Sequence, residues 1–373
     1  GIAILGDVFV SALKAIAPLL VFFLVISSLC NAGKSHGGVI KTVIILYMFS
    51  TVLAAVIAVF ASMAFPVKMT LANAATDTSA PQGIVEVLNN LLLNVVANPV
   101  SSLVNANYVG ILMWAVLLGL AFRAADKMTK KVLADVADGI SMVVTWIINL
   151  APFGIFGLVF NTVSTNGLDI FTTYGKLLLL LVGCMLFIYF VTNPLLVYWC
   201  IRQNPYPLIF HCLKRSALTA FFTRSSAANI PVNMKVCEEM GLDRDTYSVT
   251  IPLGATINMD GAAITITVMT MATAFTLGIH VDIPTAIILS LLAALSACGA
   301  SGVAGGSLLL IPMACSLFGI SDDISMQVVA VGFIIGVVQD SVETALNSSS
   351  DLLLSASAEF RQWRLEGKEI KFK

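Results

Sequence analysis

The sequence predicts an all-α protein that crosses a membrane several times. Of its 373 residues, 58% are hydrophobic and only 11% are charged, whereas a soluble domain is usually about 25% charged. Seven segments carry the ~20 apolar residues that a spanning helix needs. The basic residues between these segments are also unequally distributed between the two sides. The formal net charge of −1 offers no basic surface to a nucleic acid, so no nucleic-acid partner is expected.

The seven predicted spans are residues 7–30, 41–64, 107–124, 138–163, 176–201, 248–278 and 325–357. Two further apolar stretches are interrupted in the middle by small polar residues. These are 216–234, which contains FFTRSSAANIP, and 284–318, which contains SACGASGVAGGS. Irregular backbone at membrane depth is tolerated only where it is buried in protein or lines a cavity.

The lysines and arginines predict the topology. If the spans alternate, 16 of the 20 basic residues fall on one side, which the positive-inside bias makes cytoplasmic. This count holds only if each interrupted stretch enters and leaves the membrane on the same side. Both stretches are therefore predicted to be re-entrant helical hairpins. The alternative is two kinked spanning helices with Gly/Ser packing faces, which would remove the asymmetry.

Carboxylates lie inside these apolar segments. In the last span, QDSVETALNSSSD places Asp340, Glu343 and Asp351 on one helical face. A carboxylate at the bilayer centre costs at least about 2.5–3.5 kcal/mol. This face must therefore meet a cavity, a counter-charge or bound cations.

A second polar patch lies in GATINMDGAAITIT, where Asn258 and Asp260 are mid-span beside Thr256. Flanking glycines and a proline predict local unwinding that exposes carbonyl oxygens, and oxygen-only sites suit hard cations. The interiors of the predicted membrane segments thus contain four acidic residues and only one arginine, Arg224. Sodium is the abundant candidate to offset the excess, and protonation of Glu343 or Asp260 is the alternative.

Four motifs in this order resemble the dicarboxylate/amino acid:cation symporters, the glutamate transporter family, and within it the bacterial members that carry serine and threonine with sodium. The motifs are TRSSAANIPVN, IPLGATINMDGAA, SACGASGVAGGS and QDSVETALNSSSD. The resemblance implies a glutamate-transporter-like fold with two re-entrant hairpins and inverted repeats, in which the family's first helix has no counterpart here. It also implies an elevator-type homotrimer, multi-pass in the bacterial cytoplasmic (inner) membrane.

The resemblance further divides the chain into four regions. Residues 1–64 would supply scaffold and transport helices, and 65–215 the scaffold and peripheral helices with the trimerisation region. Residues 216–357 would form the transport core, with both hairpins, the unwound helix and the last helix. Residues 358–373 would be a cytoplasmic tail.

The resemblance also implies a site for a zwitterionic substrate. Asp340 would bind the ammonium group and Asn347 the carboxylate. The remaining substrate residues would be Ser225, Ser226, Gly302, Val303, Thr344, Glu343, Ala262 and Arg224.

Two departures from the family bear on the substrate. Members that carry acidic substrates have an arginine at the position of Glu343 and a threonine at that of Ala262. Glu343 would repel a second substrate carboxylate, which favours serine or threonine over glutamate or aspartate. Arg224 is expected to neutralise Asp340 or Glu343, although it could also bind an acidic substrate.

Sodium, as the coupling ion, would take three sites by the same resemblance. One would use Asp351 with the carbonyl groups of Gly254, Asn258 and Asn347. A second would use Asn258, Asp260, Tyr47, Ser50 and Thr51. A third would use the carbonyl groups of Thr256, Ala297, Cys298 and Ala300.

The predicted function is sodium-coupled uptake of serine and threonine across a lipid bilayer, with no enzymatic activity. A proton- or sodium-coupled symporter of acidic amino acids or dicarboxylates is the alternative within this fold. A channel is a further alternative. An intramembrane protease is the alternative from another class. It would need a mid-span histidine beside a serine or a GxGD motif, and the sequence has neither.

Overall fold

The computed structural model describes residues 1–31, 38–71, 93, 96–105, 107–150, 152–154, 156–157, 160, 164, 170–298 and 305–370. This part of the chain contains helices and no strand, which confirms the all-α class. The helices are α1 (Ala3–Asn31), α2 (Gly38–Ala64), α3 (Pro99–Val104), α4 (Tyr108–Ala121), α5 (Lys127–Asn149), α6 (Ile170–Phe187), α7 (Asn193–Ile201), α8 (Tyr206–Cys212), α9 (Leu218–Thr223), α10 (Ser226–Glu239), α11 (Arg244–Ile257), α12 (Asp260–Thr276), α13 (Ile283–Ala297), α14 (Ile311–Ser316) and α15 (Asp322–Leu365).

Short turns of other helix types connect several of these elements. Turns of π-helix join α6 to α7 and α8 to α9, and turns of 3₁₀-helix follow α4 and precede α14. The π turn at Leu213–Ala217 makes α8 and α9 one continuous arm. The predicted boundary between residues 215 and 216 therefore falls inside a helix.

Among the described residues, four helical stretches are long and apolar enough to cross a membrane. They are Gly38–Ala64, Tyr174–Ile201, Val249–Thr276 and Asp322–Leu365, and each coincides with a predicted span. Helix α1 overlaps the predicted span 7–30, and α4 overlaps 107–124.

The predicted span 138–163 overlaps helix α5 in its first part, and its second part includes residues outside those described. Helix α5 begins at Lys127 and ends at Asn149. Its first half exposes Lys127 and Lys131 while Ala137 is buried, so this half is amphipathic. A search for uncharged apolar windows misses such a helix, because its apolar residues occupy only one face.

The last helix is longer than the predicted span 325–357. Helix α15 has 44 residues and extends to Leu365, so it includes the first residues of the predicted cytoplasmic tail. No glycine or proline occurs between Gly336 and Gly367 to end it earlier. The Arg364 Nε donates to the Cys200 carbonyl oxygen at 3.1 Å, which fixes this end of α15 against α7.

The two interrupted stretches fold as paired helical arms. In the first, α9 and α10 are joined by Arg224, with φ of 49°, and by the extended Ser225, whose side chain accepts from the Ala228 N–H. The arms extend over Tyr206–Glu239, beyond the predicted limits of 216–234. In the second, α13 precedes the tip and α14 follows it. The tip, with Ala300, Gly302 and Val303, lies outside the described residues. That both pairs enter and leave on one face stays a prediction.

Helices α12 and α15 form the centre of the molecule. Every residue from Asp260 to Ala274 of α12 is buried. Helix α15 packs against α7, α9, α10, α11 and α12, and α2 packs along α12 and α13. Helix α1 instead packs mainly against α4 and α5. The polar faces of α12 and α15 therefore meet inside the larger group of helices.

Candidate functional site

The helical span 248–278 is interrupted where the sequence predicts unwinding. Asn258 (φ −95°, ψ 81°) and Met259 (φ −120°, ψ 51°) leave the helical conformation between α11 and α12. The Met259 N–H donates to Thr51 Oγ1 at 3.2 Å. A side chain of α2 thus satisfies a backbone group freed by the break, as buried irregular backbone requires.

Asp351 lies against this break. Asn258 Nδ2 donates to Asp351 Oδ1 at 2.9 Å and to the Asn347 carbonyl oxygen at 3.4 Å. Asn258 Oδ1 is buried and has no hydrogen-bond partner within the described structure. A buried acceptor without a donor, beside a carboxylate, fits a bound cation.

Gly254 allows α11 to approach α15 closely. A Cβ at this position would lie 2.8 Å from Asp351 Cγ and 2.9 Å from the Tyr47 hydroxyl oxygen. No other residue type fits without displacing one of them. The four residues predicted for the first sodium site are thus brought together.

Asp260 forms a second cluster with α2. Ser50 Oγ donates to Asp260 Oδ2 at 2.7 Å, and Thr51 Oγ1 donates to Asp260 Oδ1 at 3.2 Å. All three side chains are fully buried. These residues of the second predicted sodium site are therefore adjacent, whereas the Asn258 side chain is directed to Asp351.

The Tyr47 hydroxyl, predicted to join the Asp260 site, lies beside Asp351 instead. It donates to the Asp351 carbonyl oxygen at 2.9 Å and is 2.7 Å from Ser355 Oγ. Ser355 in turn donates to Thr250 Oγ1 at 2.9 Å. Tyr47 is one turn before Thr51 on α2. Its side chain therefore contacts α15 at Asp351, whereas that of Thr51 contacts Asp260.

The third predicted sodium site is described only in part. Cys298 Sγ lies 3.7 Å from the Ile257 carbonyl oxygen, which brings the end of α13 to the break after α11. Ala297 is buried there. The Thr256 hydroxyl donates back into its own helix at 2.7 Å, and the carbonyl group of Thr256 stays a predicted ligand.

Arg224 and Asp340 lie together, as one of the two expected pairings. Arg224 Nη1 is 3.9 Å from Asp340 Oδ2, and the arginine side chain is 41% exposed while that of Asp340 is 8% exposed. The Gly305 N–H donates to Asp340 Oδ1 at 3.3 Å. Residues of both hairpins therefore contact the carboxylate predicted to bind the substrate ammonium group.

Glu343 is held by three donors that the sequence did not identify. Its Oε2 accepts from Thr265 Oγ1 at 2.7 Å, from Ser307 Oγ at 2.9 Å and from Gln339 Nε2. Gln339 directly precedes Asp340, and Ser307 follows two glycines of the second hairpin motif. Both residues lie within the quoted motifs SACGASGVAGGS and QDSVETALNSSSD, and this is the signal that could have marked them.

The remaining substrate residues are placed as follows. Asn347 Oδ1 accepts from the Gly261 N–H at 2.7 Å, and Asn347 Nδ2 lies 3.5 Å from Met259 Sδ. Ser226, Thr344 and Ala262 are also buried. Ser225 is at the first hairpin tip, as the N-cap of α10.

A buried amide network ties the first hairpin to α15 and was also missed. Asn229 Nδ2 donates to Ser348 Oγ and Asn233 Nδ2 donates to the Ser348 carbonyl oxygen, both at 2.8 Å. Both asparagines also bond to Ser216, on the first arm. Their i, i+4 spacing in NIPVN puts them on one helical face, and this spacing was the available signal.

The electrostatics of the site are dominated by acids. Counted over the whole residue, Asp260, Asp340, Glu343 and Asp351 are each at most 6% exposed. Within the described ranges, the one cation within 4.0 Å of any of them is Arg224. Buried charges without partners are strongly unfavourable, so this cluster is suited to taking up cations.

Two comparisons with known proteins agree with this arrangement. The sodium:dicarboxylate symporter family matches residues 1–359. A serine/threonine transporter, SstT, of Bifidobacterium adolescentis is 60% identical over 366 residues, which cover 98% of this chain and 85% of the relative. These matches confirm the resemblance drawn from four motifs and favour transport over proteolysis. Together with the four membrane-length helices, they make the chain a multi-pass membrane protein. The chain therefore belongs to the sodium:dicarboxylate symporter family.

Proposed function

We propose that this protein takes up serine and threonine together with sodium ions, across a bacterial cytoplasmic membrane. The main support for coupling to a cation is an excess of buried acids. Four carboxylates are buried on α12 and α15, two of them at the helix break, and among the described residues Arg224, beside Asp340, is the one cation within 4.0 Å of any of them. The 60% identical relative is named a serine/threonine transporter, which supports serine and threonine as the proposed substrates.

Sodium would bind at the two clusters built around Asp351 and Asp260. At the first, Gly254, Asn258 and Asn347 would add carbonyl oxygens, which hard cations prefer. Loading these clusters lowers the negative potential of the site, so that a zwitterion can enter. Each net charge moved across 100 mV is worth about 2.3 kcal/mol, or about 50-fold accumulation of substrate.

The substrate would lie beside α15, between the two hairpin tips. Asp340 would accept from its ammonium group, and the Asn347 amide would donate to its carboxylate. Ser225, Ser226 and the backbone of Gly302 and Val303 would complete the carboxylate site. The donors from Thr265, Ser307 and Gln339 all contact Oε2 of Glu343, so Oε1 is the oxygen that could accept from a substrate hydroxyl.

Transport would follow an elevator mechanism in a homotrimer. Helix α1 packs mainly with α4 and α5 and only slightly with α15, which supports a scaffold and a moving core. The second hairpin would act as the lid, because Gly305 and Ser307 contact Asp340 and Glu343. Closure of the lid would depend on a filled site.

An acidic substrate is the second candidate. The family description names dicarboxylates, and the half-exposed Arg224 lies beside the site. Against this, Arg224 already faces Asp340, and Glu343 would repel a further carboxylate.

Uptake of labelled serine into proteoliposomes tests the proposal. We expect uptake with a sodium gradient and none when choline replaces sodium. Equal uptake in choline under a pH gradient would refute sodium coupling. Competition by unlabelled threonine, but not by aspartate or succinate, is expected. Stronger competition by aspartate than by threonine would support the second candidate instead.

A further inference from the structure

An apolar groove runs along the outer surface of α2 and α6, beyond the site residues of α2. Its volume is about 800 Å³. Aromatic and aliphatic side chains form its walls, among them Phe60, Phe65, Leu179 and Phe187. These four side chains are 55%, 69%, 74% and 47% exposed in the described structure. The groove is therefore open to the surroundings of the protein along its length.

One end of this groove carries positive charge. Lys176 is the one charged residue among those that line it. It lies in the second turn of α6, and Phe65 and Val67 directly follow α2; the predicted topology makes these two helices antiparallel, which puts the three residues at one end. Lys68 is exposed and follows Val67 directly. Lys68 and Lys176 are also the two basic residues that the predicted topology places opposite the 16 cytoplasmic ones. The charge bias disfavours lysines on this side, yet both lie at one groove end.

The dimensions of the groove match one leaflet of a bilayer. On α6 it extends from Lys176 to Phe187, which corresponds to about 16 Å at ~1.5 Å per residue. The hydrocarbon core of a bilayer is about 30 Å thick, so the groove spans about half of it. A charged end followed by an apolar channel of this length has the polarity of a phospholipid.

Small residues keep the groove open. Gly183 of α6 and Ala61 of α2 both line it, and a Cβ built at Gly183 would meet no atom within 4 Å. The space is thus left by the sequence and is not closed by neighbouring side chains.

We propose that this groove binds one anionic phospholipid, with its phosphate near Lys176 and Lys68 and an acyl chain along α2 and α6. Any lipid chain fills an apolar groove about equally well, since lipid tails are as apolar as the lining. Selectivity must therefore come from the headgroup. Each lysine near a headgroup favours an anionic lipid by about five-fold, or about 25-fold for the pair.

The test measures lipid retention by the purified full chain with native mass spectrometry, in micelles that contain equal phosphatidylglycerol and phosphatidylcholine. We expect preferential retention of phosphatidylglycerol, which falls about five-fold in Lys176→Gln and to no preference in Lys68→Gln/Lys176→Gln. Lys127→Gln, at the exposed start of α5, is the matched control and should keep the preference. An unchanged preference in the double variant overturns the proposal.

A second variant tests the acyl chain. Gly183→Leu should reduce retention of both lipids, whereas Gly139→Leu should not, although a Cβ meets no atom within 4 Å at either position. If soluble glycerol phosphate displaces phosphatidylglycerol from the wild type, the lysines bind free anions and the lipid proposal is wrong. If Gly183→Leu keeps its lipids but changes the oligomeric mass, the groove is an interface between copies and the proposal is equally wrong. Retention is measured without transport, so these outcomes are independent of the proposed substrate.

Discussion

Replacing Gly254 by alanine should weaken sodium binding more than it weakens the fold. The added Cβ would lie 2.8 Å from both Asp351 Cγ and Oδ1, and 2.9 Å from the Tyr47 hydroxyl oxygen. Ordinary contact begins at 3.4 Å, so the carboxylate or the tyrosine must move by about 0.6 Å. Overpacking of this kind typically costs about 1–3 kcal/mol. If the Asp351 carboxylate takes up the shift, sodium affinity falls by about 5-fold to 150-fold.

The assay is the sodium concentration that gives half-maximal serine uptake, measured beside the sodium-dependent rise in melting temperature. Gly336→Ala is the matched control, because this glycine is on the same helix as Asp351 and its Cβ would meet nothing within 4 Å. We expect Gly336→Ala to leave the sodium requirement unchanged and, through better helix propensity, to be neutral or slightly stabilising. A half-maximal sodium concentration within two-fold of wild type in Gly254→Ala would refute the placement of sodium beside Asp351.

Three further predictions concern other residues. Glu343→Arg, alone and with Ala262→Thr, should weaken serine binding and increase competition by aspartate; unchanged serine affinity and aspartate rejection in the double variant would contradict the specificity reasoning. Ser50→Ala removes the 2.7 Å hydrogen bond to Asp260 and should raise the half-maximal sodium concentration severalfold, whereas an unaltered sodium titration would remove Ser50 from the site. Outside the membrane, the hydroxyl and the N–H of Thr129 donate hydrogen bonds to Asp126 and hold the pKa of this carboxyl below its usual value. This contribution to stability is complete above the ordinary pKa of about 3.9 and is lost as the pH falls through the lowered one. The melting temperatures of wild type and Asp126→Ala should therefore converge in acid, and a constant difference down to pH 2 would contradict this assignment.

The hydrogen bonds of Glu343 refine the interpretation of specificity. Its carboxylate is bound by α12, by the second hairpin and by its own helix. Substitution of Glu343 should therefore affect closure of the lid as well as substrate choice. Ser307→Ala separates these effects, because it removes the contact with the hairpin and leaves the carboxylate in place.

The sequence alone determined the features that depend on local chemistry. Four spans, the break at Asn258 and Met259, and the shared face of Asp340 and Asp351 all follow from apolar length, from glycine and proline, and from helical periodicity. The charge imbalance of the core was also predictable, since the cost of burying an acid does not depend on which neighbour it meets. The family followed from motif order, and a match over residues 1–359 confirms it.

Only the tertiary structure decided which side chains meet. Thr265 is 78 positions from Glu343, and Tyr47 is 304 positions from the Asp351 carbonyl group that it contacts. Spacing along one helix fixes a direction but not the partner on a neighbouring helix, which depends on how far the helices slide and rotate. Tertiary packing also explains why α5 begins at Lys127. Contact with α1 covers the apolar face of this amphipathic helix, so it forms before the predicted start of the span at residue 138. Local sequence thus placed the charges in the membrane, and the packing of helices distant in the chain selected the donors that surround them.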